Sequence, residues 1–148
     1  MFFLCADCTQ RKNRAEIRMD VMERAVIAIK ANDTIQLFKI VDTTECFKVY
    51  GRELVWEKIN YVVAKFKECN TPFPDSIKAK RINNLPIVEY ILPFCRDSLG
   101  RTVSSSFDLI FRFADYRDDR KIIGINVEKY LLKTSPPIIP APKLPGQP

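Results

Sequence analysis

The chain has 148 residues and a net charge of +6, with 24 lysine and arginine residues against 18 aspartate and glutamate residues. A chain of this length can bury a core without a metal or a disulfide framework, and a hydrophobic content of 47% excludes a disordered protein. It contains no histidine, which excludes Ser-His-Asp and Cys-His catalysis and histidine-ligated zinc.

Composition divides the chain into three parts. We predict a flexible basic lead over residues 1–13, a single α+β domain over 14–134 and a Pro-rich tail over 135–148. Charges follow the apolar Met1–Leu4 too soon for a signal peptide, and no apolar run approaches the roughly 18 residues of a membrane span. The odd, widely spaced set of five cysteines is typical of reduced thiols. We therefore expect a soluble, cytoplasmic protein.

The first half of the domain predicts a helix followed by a hairpin. From Arg14 to Lys30, apolar residues share one half of a helical wheel, and Asn32-Asp33 provides a stop. Thr34 to Val41 and Cys46 to Tyr50 are rich in β-branched and aromatic residues. This composition predicts two strands joined by a turn, with Gly51 ending the second.

The second half predicts another helix and the rest of a sheet. Arg52 to Cys69 carries a narrow apolar stripe, and Ile87 to Leu92 is a short apolar strand between two prolines. Phe107 to Phe113 alternates apolar residues with Asp108, Ile110 and Arg112, so we predict a strand with one buried face, paired with Ile123–Val127. The fold class is α+β: two amphipathic helices packed on a mainly antiparallel sheet of about five strands, with an extended Pro-rich C-terminal tail.

Two basic clusters predict an anion-binding surface. One precedes the first helix, the other is the run Lys78–Arg81, and a polar loop over residues 97–106 adds an arginine beside a glycine turn. The alternative is a solvated surface that is basic only for solubility. The predicted anion-binding residues are Arg11, Lys12, Arg14, Lys78, Lys80, Arg81 and Arg101.

The remaining motifs predict no catalytic chemistry. Residues 115–121 interleave acids and bases, so we expect these charges to pair with one another on a loop. Cys5-Ala-Asp-Cys8 has the spacing of half a zinc site, but no second pair exists. The four glycines lie too far apart for a phosphate-binding loop. We predict no catalytic residues, no metal and no cofactor, and hence no enzyme.

The tail predicts a protein contact. Six prolines in its fourteen residues favour polyproline II, and no basic residue stands where SH3 ligands carry one. The apolar side chains favour docking onto a partner or a second copy, giving a homo-oligomer; the alternative is a disordered end. The predicted contact residues are Pro137, Ile138, Ile139, Pro140 and Leu144.

Together these features predict a non-enzymatic binding or scaffold protein. Its basic surface would hold an anionic partner, single-stranded nucleic acid, with Phe73, Tyr90, Tyr116 and Tyr130 as candidate stacking platforms. An anionic membrane surface is an alternative partner for the same cations. The rival class is a protein–protein adaptor or inhibitor whose charge is incidental.

Overall fold

The computed structural model describes residues 6–130 and Gly146, with side chains from residue 14 onward. Three helices precede a four-stranded antiparallel sheet, so the predicted α+β class is confirmed, while the predicted counts of two helices and about five strands are wrong. In chain order the elements are α1 (Ala6–Lys30), α2 (Thr34–Ile40), α3 (Thr43–Glu68), β1 (Lys78–Arg81), β2 (Ile87–Phe94), β3 (Phe107–Ala114) and β4 (Gly124–Lys129).

Helix α1 ends where predicted and begins earlier. Its backbone is helical from Ala6, before the predicted start at Arg14, and it ends at Lys30. Asn32 follows with a φ of 53°, a left-handed conformation that asparagine tolerates and that stops the helix. The face that α1 buries consists of Val21, Met22, Ala25, Val26, Ala28 and Ile29.

The hairpin predicted over residues 34–50 is wrong, because α2 and the first part of α3 occupy this segment. Each of these helices starts after an aspartate that caps it. The carboxylate of Asp33 accepts a hydrogen bond from the backbone N–H of Gln36 at 3.0 Å, and that of Asp42 from Glu45 at 3.2 Å. These caps satisfy N–H groups at each helix start, and together with tertiary burial they outweigh the β propensity of the segment.

Gly51 interrupts α3. Its φ of 72° and ψ of 160° are not helical, and a positive φ favours glycine because it has no Cβ. The predicted break at Gly51 is therefore in the right place, although helix rather than strand precedes it. The helix predicted from Arg52 to Cys69 is confirmed to within a residue, and its apolar stripe is buried.

The sheet has the order β1-β2-β3-β4, so β3 is an inner strand and β1 is an edge. The aromatic face predicted for β3 is confirmed as buried, in the cluster that the helices share, but the expectation of a single buried face is wrong, because Asp108 and Ile110 on the opposite face are buried as well. Phe107 lies at the centre of this cluster: its ring meets that of Phe66 edge-on at 5.4 Å and stacks on that of Phe94 at 5.6 Å. The side chains that β3 contributes are Phe107, Leu109, Phe111 and Phe113.

Strand β1 is not predicted by sequence pattern. Its four residues, Lys-Ala-Lys-Arg, are all exposed and show no apolar alternation. The strand is held by pairing with β2, from Lys78 opposite Ile91 to Arg81 opposite Val88. A short, charged edge strand of this kind resists pairing with other apolar strands.

A disulfide joins the end of α3 to the end of β2. Cys69 and Cys95 form it, with 5.8 Å between their Cα atoms, so the expectation of reduced thiols is wrong for this pair. The predicted cytoplasmic location rested on reduced cysteines, and it stays a prediction without that support. Cys46 is free and buried, and burial raises the pKa of its thiol to about 11, which keeps it protonated at neutral pH.

Candidate anion-binding surface

The two lysines of β1 are exposed. Alternation along the strand places Lys78 and Lys80 on one face of the sheet, about 7 Å apart along the chain, and Arg81 on the other. Neither lysine forms an ion pair with any residue that the structure describes. These two side chains are therefore available to an anionic partner.

One arginine from each of the two predicted basic clusters lies at the same cavity. Arg14 of α1 and Arg81 of β1 line a cavity of about 540 Å³, together with Arg18, Tyr90 and Asp115. Folding thus brings Arg14 and Arg81 together, but Lys78 and Lys80 lie on the other face of the sheet, so the predicted cations do not form one shared patch.

These arginines are nevertheless paired with carboxylates. Arg14 Nε lies 2.6 Å from Asp119 Oδ2, and Arg81 Nη1 lies 2.6 Å from Asp115 Oδ2. Arg18 contacts both carboxylates, at 2.7 Å from Asp119 and 3.1 Å from Asp115. Three guanidinium groups therefore face two carboxylates, and the cluster keeps about one positive charge of the three.

Arg18 is the residue of this cluster that the sequence analysis did not select. Its side chain is only 5% exposed and its guanidinium lies 5.4 Å from the centre of the Phe113 ring. A signal was present, because Arg14 and Arg18 stand four residues apart and so share one face of α1. Burial and pairing make Arg18 an anchor for the 115–121 loop.

The expectation that the charges of residues 115–121 pair with one another is wrong for most of them. Asp115 and Asp119 pair with arginines of α1 and β1, and Arg117 pairs with Glu45 of α3 at 2.7 Å. Within the loop the described pair is Arg120 with Asp118, at 3.8 Å and well exposed. The loop therefore ties distant elements together.

Arg101 does not join the other cations. It follows the turn at Gly100, and its Nε lies 2.8 Å from a carboxylate oxygen of Asp97. The same carboxylate accepts the backbone N–H groups of Leu99 and Arg101, and these hydrogen bonds hold the pKa of Asp97 below its ordinary value. The carboxylate of Asp97 thus occupies the donors that were predicted to bind an anion.

Several predicted residues fall outside what can be described. The side chains of Arg11 and Lys12 are outside the described residues, although the backbone there is part of α1. The predicted tail contacts also lie outside them: Pro137, Ile138, Ile139, Pro140 and Leu144.

Three of the four predicted stacking platforms are half-buried and in contact with other side chains. Tyr90 meets Phe113 edge-on at 5.6 Å, Phe73 packs against the core, and the guanidinium of Arg96 lies 4.6 Å over the ring of Tyr130. Tyr116 is 60% exposed. Base stacking has one well-exposed ring and three partly exposed rings among these four candidates.

Comparisons with known proteins return no match: no family model, no curated protein and no solved structure is similar to this chain. Within residues 6–130, no helix combines the length and apolarity needed to cross a membrane. The described part of the chain also holds no group of three or more side chains suited to bind a metal ion.

Proposed function

We propose that this protein is a non-enzymatic binding protein that holds a single-stranded nucleic acid along the free edge of β1. The observation that carries this proposal is the pair of exposed lysines, Lys78 and Lys80, on one face of an edge strand with no described ion pair. An extended backbone of phosphates can follow such an edge, and each phosphate that a lysine neutralises releases a counterion.

Binding by this surface is mainly electrostatic. The paired arginines on the opposite face of the sheet contribute a weak positive potential, and Tyr116 supplies one exposed ring among the predicted platforms. Without several stacking rings, recognition depends on charge and is tolerant of base sequence. The affinity for an oligonucleotide should therefore fall steeply with salt.

The test removes both lysines together. The slope of log K against log salt is negative for a phosphate-binding protein. In Lys78→Gln with Lys80→Gln its magnitude should decrease by about 1.4, because each phosphate contact on a single strand contributes about 0.7. Affinity would be measured by fluorescence anisotropy on a labelled oligonucleotide across a salt series. The matched control is Lys48→Gln with Lys67→Gln, which removes the same charge from two exposed lysines of α3.

Two results would contradict the proposal. One is a slope that is unchanged in the β1 double variant. The other is an equal decrease in the α3 control, which would show that only the net charge of the protein matters.

A second candidate function is a protein contact formed by strand addition. The backbone N–H of Ile82 donates to the carbonyl of Ile87 at 3.0 Å. Because backbone groups alternate in direction along a strand, Lys80 and Lys78, two and four residues before Ile82, also direct their N–H and C=O groups toward β2. Ala79 and Arg81 then point their N–H and C=O groups away from the sheet. An extended acidic peptide could pair with these groups while its carboxylates meet the lysines.

Ala79→Pro separates the two candidates. It removes an outward N–H that only an added strand would use, and proline is tolerated at a sheet edge. Oligonucleotide affinity should stay within about twofold of the unmodified protein if phosphates bind the lysine side chains. Loss of a peptide contact with unchanged oligonucleotide binding would favour the adaptor class.

A further inference from the structure

A cavity on the face of the sheet that carries Lys78 combines unused donors with an apolar floor. Its volume is about 290 Å³, near the lower limit of small-molecule sites. Ile91 and Pro93 of β2 form the apolar part, and Lys78 and Thr102 stand at the wall. Arg96, Asp108 and Tyr130 complete the polar part.

The carboxylate in this cavity is already occupied. Asp108 is buried, and its Oδ1 accepts a hydrogen bond from Arg96 Nη2 at 2.6 Å. Its Oδ2 accepts the hydroxyl of Tyr130. Both oxygens therefore have a partner, and the positive charge of Arg96 offsets the charge of the carboxylate.

The donors, in contrast, are in excess. Arg96 Nη1 is buried and has no hydrogen-bond partner among the described residues. A guanidinium has five N–H donors, and a buried one that lacks a partner is costly, so native structures supply an acceptor. The ammonium of Lys78 and the hydroxyl of Thr102 line the same space.

We propose that this cavity binds a phosphate group, held by the ammonium of Lys78 and the hydroxyl of Thr102 in the positive field of Arg96. Two cations against one carboxylate give the cavity a net positive charge, and arginine with lysine is a common phosphate-binding pair. The stacking of Arg96 over the Tyr130 ring, at 4.6 Å, fixes the guanidinium plane. The group belongs either to a small phosphorylated molecule or to the 5′ end of an oligonucleotide, and only the second source depends on the proposed function.

The first arm of the test uses inorganic phosphate as the probe. Phosphate is titrated by calorimetry at constant ionic strength, with phosphate replacing chloride. We expect binding that Lys78→Gln weakens by at least about tenfold, which corresponds to the loss of one charged hydrogen bond. Lys80→Gln is the matched control, because it removes the same charge from the same face of β1 and does not line the cavity. Thr102→Val adds a second exposed position that should weaken binding without disturbing the core.

The second arm compares an oligonucleotide that carries a 5′ phosphate with the same oligonucleotide ending in a hydroxyl. The readout is the ratio of the two affinities: a ratio in favour of the 5′ phosphate that Lys78→Gln abolishes, and that Lys80→Gln keeps while weakening both oligonucleotides alike, identifies the nucleic-acid source. Equal binding of the two, with phosphate binding intact, identifies a small phosphorylated molecule.

The inference is overturned if inorganic phosphate does not bind, or if the two lysine variants behave alike toward it. Either result leaves the proposed function standing when the double lysine variant still lowers the salt slope. Conversely, an unchanged slope with phosphate binding that depends on Lys78 removes the proposed function and keeps the phosphate site.

Discussion

Replacing Arg18 by methionine tests whether the cluster of arginines and aspartates is a structural anchor. Methionine keeps the apolar stem that packs in the protein and removes the guanidinium with its contacts to two carboxylates. A hydrogen bond to a charged group contributes about 1.5–3 kcal/mol. Two such bonds set an upper limit for the loss in free energy of unfolding.

The expected loss is smaller than this limit, for a reason visible in the structure. Asp119 keeps Arg14 at 2.6 Å and Asp115 keeps Arg81 at 2.6 Å, so neither carboxylate is left alone. We expect a decrease of about 2–3 kcal/mol, below the cost of about 3–5 kcal/mol for orphaning a buried charge. For a chain of this size the melting temperature would fall by about 4–12 °C.

The assay is urea unfolding of Arg18→Met beside a control on the same helix. In Arg24→Met the lost ion pair with Asp20 is exposed, so the control should lose no more than about 0.5 kcal/mol. A cycle with Asp119→Asn should show coupling of about 1 kcal/mol or more to Arg18. If the two arginine variants are equally stable, the anchoring role of Arg18 is refuted.

Three further predictions concern pH, the disulfide and the tail. Burial alone would raise the pKa of Asp115, but hydrogen bonds from Arg81 and Arg18 outweigh it and hold the pKa below the ordinary 3.8. Because the folded-state pKa is the lower one, the stabilisation is complete above that ordinary value and is lost as the pH falls through the folded value. The stability difference between the protein and Asp115→Asn in urea should therefore shrink below about pH 4, and a difference independent of pH would contradict this account. Reduction of the Cys69–Cys95 bond, which closes a separation of 26 residues, should lower the free energy of unfolding by about 3–4 kcal/mol, whereas Cys69→Ser with Cys95→Ser should not respond to reductant. Truncation after Thr134 should reduce self-association in analytical ultracentrifugation, and an unchanged sedimentation coefficient for the assembly would rule out the tail as the contact.

Strong periodicity was the dependable signal for the fold. The aromatic residues of Phe107–Phe113 and the stripe of Arg52–Cys69 each share one buried face, although in β3 the opposite face is largely buried as well. The prediction of a hairpin over residues 34–50 was wrong because β propensity is a weak preference. Two aspartate caps and the burial of Leu37 and Ile40 on a helical face prevail over it.

Strand β1 and the ion pairs of the arginines could not be predicted from local sequence, because both depend on tertiary contacts. A polar strand of four residues exists only because β2 offers it hydrogen-bonding groups. The bond between Arg14 and Asp119 spans 105 positions, so no local spacing indicates it. Local sequence shows that cations are present, and only the tertiary fold shows which of them are neutralised.

The separation between Arg14 and Asp119 also sets an order of events during synthesis. Arg14 and Arg18 of α1 are translated about a hundred residues before the aspartates that pair with them. Contacts of such separation close late, after local helices and hairpins have formed. We therefore expect the nascent chain to carry these arginines unneutralised until the β3–β4 connection emerges, and the 115–121 loop to close onto α1 among the last steps of folding.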